Sequence, residues 1–201
     1  MNKGAFDPKR QNTELAAKIT AGLERISEVY KVLLWNYAKE LQLSPIQIQI
    51  LLFVKYHDER LTTVSHLAKE FNITKATVSD AVRVMLKKEL LTKERSALDN
   101  RSFSLRVAAE GNKVVLATQE FASPIEHQLN KFSEQDKVTF YRMLQRMIFG
   151  LNKSGFLSVQ RTCFACKFHE KREGQSFCNF LNSHLKTEDI RLDCPEFEEM
   201  A

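Results

Sequence analysis

The chain has 201 residues, 43% of them hydrophobic, with a formal net charge of +5. That is enough apolar material for one main core and a small appendage. No stretch approaches the roughly 18 apolar residues of a membrane span, and the N-terminus carries Lys3, Asp7, Lys9 and Arg10 with no apolar run, so a cytoplasmic chain without signal peptide is expected. With only six glycines, no Gly-rich phosphate loop, no H-E-x-x-H and no Ser-His-Asp arrangement, the sequence argues against an enzyme.

The first element is a long helix, expected from about Asn12 to Leu41. Ile19, Leu23, Ile26, Tyr30, Leu33 and Tyr37 alternate spacings of four and three, a heptad-like stripe that wants a partner helix. An apolar helix, LSPIQIQILLFV, follows from Leu43.

The segment from Thr62 to Val107 is the most informative. Val64, Leu67, Ala68 and Phe71 mark one amphipathic helix, and Val78, Ala81, Val82, Met85 and Leu86 mark a second. Thr63 and Thr74 stand at the expected N-caps, and Asn72 sits in the short connection where unusual dihedrals are needed. With Val78 pointed at the core, Ala76, Asp80, Arg83 and Lys87 fall on the far side, flanked by Thr77 and Ser79, and Thr74 and Lys75 open the helix. Short polar side chains near the helix start, then basic ones, suit entry into the major groove of duplex DNA. Asp80 is the awkward member, a carboxylate near phosphate; it either reads a cytosine amino group or orients Arg83. A solvated helix face is the plain alternative for this pattern alone.

Residues 91–95 and 103–107 alternate as strands, and between them Ser96 to Ser102 form a polar tip. Arg95, Arg101 and Arg106 give this hairpin a cationic edge suited to a narrow minor groove, although Asp99 and Arg101 are also placed to pair with each other. From Arg60 to Arg106 there are ten Lys or Arg against five Asp or Glu, a surplus of five that equals the charge of the whole chain. Basicity gathered on one module is the footprint of a phosphate-binding surface, and no basic amphipathic helix with a clean apolar face points to a membrane instead.

Ala108 to Asn130 is expected as a linking helix that breaks where Ser123-Pro124-Ile125-Glu126 reads as a capping box with Pro at N1. Ser133 caps a final long helix whose apolar positions, from Val138 through Leu151, cover more than one face.

All four cysteines fall beyond it: Cys163-x2-Cys166, Cys178 and Cys194-Pro195. A segment this small cannot bury enough apolar surface to fold alone, and a metal on four thiolates supplies the missing stability. Zinc is the usual occupant of closed sites made of four cysteines. The Cys-Pro final ligand and the nearby Phe164, Phe168, Phe177, Phe180 and Phe197 suit an iron-sulfur cluster equally well, although the phenylalanines are read first as the small core around the site. Disulfides or a redox switch are the competing reading, and His169 or His184 is a substitute ligand. From Gln160 onward the tail has six Lys or Arg against eight Asp or Glu, so it is not a further DNA arm and should pack beside the flanking helices.

The order of elements, the LSPIQIQILLFV helix, the recognition helix TKATVSDAVRVMLKKELL and the Asp99-Asn100-Arg101 wing resemble the MarR family of winged-helix transcriptional regulators, over roughly residues 10 to 151. The resemblance implies a homodimer on a pseudo-palindromic double-stranded operator, built by first and last helices. It also implies Arg101 as a minor-groove arginine and Thr77, Ser79 and Arg83 as base or phosphate contacts. The chain departs from the family at Lys88-Glu89-Leu90, where a glycine is usual between recognition helix and wing. A small aromatic ligand between the dimerisation and winged domains is also compatible, with Tyr30, Trp35 and Tyr37 as candidate lining. The expected fold is mainly α with a small β wing: a helical dimerisation domain (1–42 with 108–151), a winged helix-turn-helix domain (43–107) with recognition helix 74–88, and a metal-binding tail of four cysteines (152–201). The function expected is sequence-specific transcriptional regulation, with repression as the favoured mode and the metal or iron-sulfur centre as a candidate modulator. The other class is a winged-helix protein-interaction module with a structural zinc tail.

Overall fold

The structure, a computed structural model, describes residues 4–95 and 103–200. The first described elements are α1 (Pro8–Thr13) and α2 (Leu15–Glu40), where the sequence predicts one helix from about Asn12 to Leu41; α1 lies mostly ahead of that start, and the extended Glu14 separates the two. Then come α3 (Pro45–Tyr56), α4 (Val64–Glu70), α5 (Lys75–Lys87), the antiparallel hairpin β1 (Leu91–Arg95) and β2 (Phe103–Val107), α6 (Ala109–Thr118), α7 (Ser123–Leu129) and α8 (Glu134–Lys153). The tail carries a three-stranded antiparallel sheet of β3 (His169–Arg172), β4 (Gln175–Cys178) and β5 (Ser183–Leu185), in that order. No helix among the described residues is long and apolar enough to cross a membrane.

The main core sits where α3, α4, α5 and the hairpin meet. Ile48, Ile50 and Leu51 of α3, Leu67 of α4, Val78 and Met85 of α5, Leu105 of β2 and Val115 of α6 are all essentially inaccessible. Thr62 is buried among them, and its hydroxyl accepts the Leu105 amide at 3.1 Å, tying the wing strand to the residue before the α4 cap.

Three helices close in the same way without glycine. Gln42 after α2, Asn72 after α4 and Glu89 after α5 all take left-handed φ of 52°, 52° and 56°. The following residue then donates back to the preceding turn: Leu43 to Ala38, Ile73 to Ala68 and Leu90 to Met85, at 2.9, 3.0 and 2.9 Å. Leu43, Ile73 and Leu90 thereby drop onto the core, the hydrophobic partner that this C-cap motif provides. Glu89 lies in the Lys88-Glu89-Leu90 segment, where the resemblance leads one to expect glycine, and takes the left-handed conformation itself.

Gly111 explains how α6 comes close to that exit. A Cβ there would overlap the Leu90 carbonyl oxygen, which also accepts the Ala108 amide at 3.0 Å. The linking helix is broken, as expected, but the break is earlier than the capping box implied. The chain turns after Thr118, Ser123 is the first residue of α7 rather than its cap, and Ala122 precedes it with no side-chain cap. Ser133 does cap α8, accepting the Asp136 amide at 3.2 Å.

Among the described residues, α2 and α8 are each covered on one side only. Ile19, Ile26 and Tyr30 on α2 and Phe140, Met143 and Leu151 on α8 are all exposed, so intrachain packing leaves both apolar faces open.

Candidate nucleic-acid interface and four-cysteine pocket

The α4–α5 unit is built for presentation. Thr63 accepts the His66 amide at 3.2 Å and Thr74 accepts the Thr77 amide at 3.1 Å, so both predicted N-caps stand where the sequence put them. Val78, Ala81, Val82 and Met85 face inward, and the opposite face of α5 is open: Thr74, Lys75, Ala76, Thr77, Ser79, Asp80, Arg83 and Lys87 are all exposed. The helix thus offers first-turn amides, hydroxyls and cations along one ridge, a donor set that suits phosphate and base edges. Asp80 forms an ion pair with Arg83, which fits its reading as the residue that orients the arginine.

On the hairpin, Arg95 is exposed at the end of β1. Arg106 differs from its expected role in a cationic edge: it donates to Glu59 at 2.7 Å and lies 2.9 Å from Glu94, so its charge is answered within the protein. Asp99 and Arg101 at the wing tip lie outside the described residues.

The four cysteines, spread over 32 positions, line one cavity of about 20 Å³, enough to admit a water-sized body. All four are free thiols. Cys163 opens a 3₁₀ turn (Cys163–Ala165) that Cys166 closes, Cys178 ends β4, and Cys194 opens the turn at 195–196, its carbonyl accepting the Phe197 amide at 3.1 Å. The Arg191 amide donates to Cys163 Sγ at 3.3 Å, and the Arg191 guanidinium lies 3.6 Å from Cys194 Sγ. Burial pushes the Cys163 and Cys194 thiols up, and for Cys163 the neighbouring Cys178 and Cys166 add to the rise. Phe168, Phe180, Leu181 and Leu185 supply apolar wall. His169 also borders the cavity; His184 does not, and packs on Phe177 with rings 5.1 Å apart. Among the described residues, no three His, Cys, Asp or Glu side chains converge closely enough to hold a single ion.

The tail leans on two supports. On α8, Tyr141 donates to the Ile190 carbonyl at 2.6 Å, Gln145 donates to the same oxygen at 3.2 Å, and Phe149 meets Phe164 edge-on. On the helix-turn-helix, the buried Arg161 is the link. Its guanidinium reaches Glu70, the last residue of α4, at 2.6 and 3.2 Å, and Asp193 at 2.6 and 3.1 Å. It also lies 5.4 Å from the centre of the Phe53 ring.

His57 at the end of α3 completes this group, with Nδ1 2.9 Å from the Phe53 carbonyl and Nε2 2.7 Å from Asp193. Both partners are acceptors, which favours the doubly protonated ring. The Asp193 hydrogen bond raises the His57 pKa despite the opposing effect of burial. The same bond, with Arg161 adding to it, holds the Asp193 carboxyl well below the usual carboxylate range. Nothing local marked Arg161, Glu70, Asp193 or His57 as a group, because the pairs lie 32 to 136 residues apart.

An exposed polar helix held by a tight turn on a capped helix, beside an antiparallel hairpin, defines a winged helix-turn-helix protein. Residues 41–102 match the family model described as MarR family. Among solved structures, the chain is similar to the Staphylococcus aureus MepR–DNA complex, with 22% identity and a TM-score of 0.57, covering 66% of this chain and 97% of that one. It is also similar to Streptococcus pneumoniae FabT in complex with DNA, with 18% identity and a TM-score of 0.56, covering 68% and 96%. A MarR transcriptional regulator from Methanosarcina mazei gives 18% identity, a TM-score of 0.54 and coverage of 65% and 95%. These likenesses place the fold and leave about a third of this chain without a counterpart. No curated protein sequence matches the chain.

A further cavity, of about 760 Å³, lies between α2 and α3, with Tyr30, Trp35, Leu34, Pro45 and Phe121 on its wall. Two of the three candidate ligand-lining aromatics are there; Tyr37 instead packs against the main core.

Proposed function

We propose that the chain is a MarR-type transcriptional regulator that reads duplex DNA as a homodimer, with α5 in the major groove and the hairpin against the minor groove. The observation that carries this reading is the open ridge of α5, where, among the described residues, the side-chain bonds are confined to the Thr74–Thr77 cap and hydroxyl contact and the Asp80–Arg83 pair. Two of the similar structures, MepR and FabT, were solved with DNA, and the matched family segment contains the same helix. Thr74, Lys75, Thr77, Ser79 and Arg83 contact phosphates or bases, Ala76 lets the backbone approach, and Lys87 and Arg95 add sequence-independent attraction. Asp99 and Arg101 are assigned to the wing tip on the family resemblance alone.

The exposed stripes of α2 and α8 support dimerisation, since a helix-turn-helix needs two copies to span half-sites about one helical turn apart. Repression follows from a dimer occupying an operator. The 760 Å³ cavity is large enough for a small aromatic effector. Sedimentation of the protein with and without its selected operator duplex, over a salt series, is the test. A dimer whose DNA affinity falls steeply with salt supports the reading. A protein that ignores duplex DNA yet retains a protein partner regardless of salt overturns it in favour of an interaction module.

A further inference from the structure

We propose that the cleft between α8 and the tail sheet binds a small anion carrying two or more phosphate groups. The cleft measures about 660 Å³, within the usual range for a small-molecule site, and its wall lies outside residues 41–102, the part matched by the family model. The observation that carries the assignment is where unanswered positive charge collects. From Gln160 onward the tail has six Lys or Arg. Arg161, Lys167, Arg172 and Arg191 each form an ion pair. Lys171 and Lys186 form none among the described residues, although the tail has eight Asp or Glu to offer, and both line the cleft. Arg142 and Arg146 stand on the α8 wall, exposed and likewise without an ion pair among the described residues.

The backbone explains why these four meet. Lys171, Ser176 and Leu185 are direct partners across β3, β4 and β5, so they share one face of the sheet, and Lys186 follows at its edge. Arg142 and Arg146 are one turn apart, about 6 Å along the axis, beside Tyr141 and Gln145. Those two side chains clasp the Ile190 carbonyl at 2.6 and 3.2 Å, which holds the two walls in place before any ligand arrives. Phe140, Met143 and Leu151 fall on the other flank of α8, so the dimer proposed above leaves the cleft open.

The charge balance sets the ligand class. Asp189 is the one carboxylate among the described residues of the wall, and its Oδ2 accepts the Lys186 amide at 2.9 Å. Four cations against one carboxylate leave a surplus of three (4 − 1). One phosphate group brings a charge of about −1.5 to −2 at neutral pH, so two are needed to answer that surplus. The planar guanidinium of an arginine pairs with two phosphate oxygens at once, and the lysines add point charge. Lys171 donates to Ser176 Oγ at 3.0 Å, which leaves the serine proton for a phosphate oxygen. Phe164 and Leu185 give the wall an apolar part for the organic body of a phosphate ester. A recess of this size encloses a small anion, whereas a duplex presents a convex row of phosphates.

The experiment is calorimetric titration of the full chain in magnesium-free buffer at fixed ionic strength, with inorganic pyrophosphate, ADP, orthophosphate and citrate as probes. Pyrophosphate and ADP should bind at least about tenfold more tightly than orthophosphate or citrate. Tighter binding of ADP than of pyrophosphate supports a phosphate ester, and equal or weaker binding supports recognition of the paired phosphates alone. Arg142→Gln and Arg146→Gln should each weaken the binding about tenfold at an unchanged melting temperature, since both side chains are exposed. Lys113→Gln removes the same charge from α6, outside the cleft, and should leave the binding unchanged. No binding of pyrophosphate or ADP, or full binding by the arginine variants, overturns the proposal. Citrate or orthophosphate binding as tightly as pyrophosphate, or an equal loss in Lys113→Gln, overturns it in favour of unspecific attraction. Arginine variants that weaken duplex binding in a protein that takes neither pyrophosphate nor ADP overturn it in favour of a nucleic-acid surface. The assignment does not rest on the regulator reading: a chain that binds pyrophosphate and ignores duplex DNA keeps this site and counts against that reading alone.

Discussion

The winged helix and the C-terminal tail both contain small antiparallel sheets, yet they are stabilised by different means. The winged helix buries Ile48, Leu51, Leu67, Val78, Met85 and Leu105 in one continuous core. The tail buries Phe177, Ile190, Cys163 and Cys166, and otherwise leans on α8 and on the Arg161 ion network. A unit with the first kind of interior tolerates a variable surface, which is where the helix proposed to read DNA must vary. A unit with the second kind depends on what cross-links it and on what it touches.

Five substitutions test that contrast. Phe177→Ala should remove about 3 to 5 kcal/mol of local stability from the tail, where Phe177 packs against Arg172 and His184, while leaving the winged helix folded. Limited proteolysis should cut beyond Lys153 first, and simultaneous loss of both regions would show that they fold as one. Gly111→Ala should cost about 3 kcal/mol in thermal unfolding, because the Leu90 carbonyl must move. A wild-type melting temperature would mean that α6 sits farther from the α5 exit.

Arg83→Ala should weaken operator binding by about 2 kcal/mol and flatten base preference at one position, with no change in melting. An unchanged binding constant would remove Arg83 from the interface. Thr74→Ala should cost about 1 kcal/mol of stability through the lost cap on α5. Glu89→Gly should be the smallest effect and of opposite sign, a gain of about 0.5 kcal/mol, since glycine takes the left-handed turn without the Cβ penalty. A loss there would show that the Glu89 side chain does something that its exposed position does not reveal.

Much of the winged helix was legible because its signals are local. The stripe from Val64 to Phe71, the stripe from Val78 to Leu86 and the caps Thr63 and Thr74 each occupy a few consecutive turns, and the structure places all of them as read. Helix exits were harder. Asn72 announces a left-handed residue, but Gln42 and Glu89 adopt the same conformation with no such preference, because Leu43 and Leu90 gain burial beneath them. The break before α7 was misplaced because Ser123 and Pro124 look like a cap and its first residue, whereas the chain had already turned after Thr118. The grouping of Cys163, Cys166, Cys178 and Cys194 was visible from their spacing, and the structure brings all four to one cavity. The network around Arg161 was not, since it joins residues from α3, α4 and both ends of the tail.

The uncovered faces of α2 and α8 have a consequence for dosage. On the proposed dimer, paired through the faces around Ile19, Ile26, Phe140 and Met143, the population able to span an operator depends on association. Below the concentration at which half the chains pair, that population grows with the square of the protein present. Promoter occupancy then rises steeply over a narrow range of expression, and a modest change in synthesis or turnover acts as a threshold without any effector.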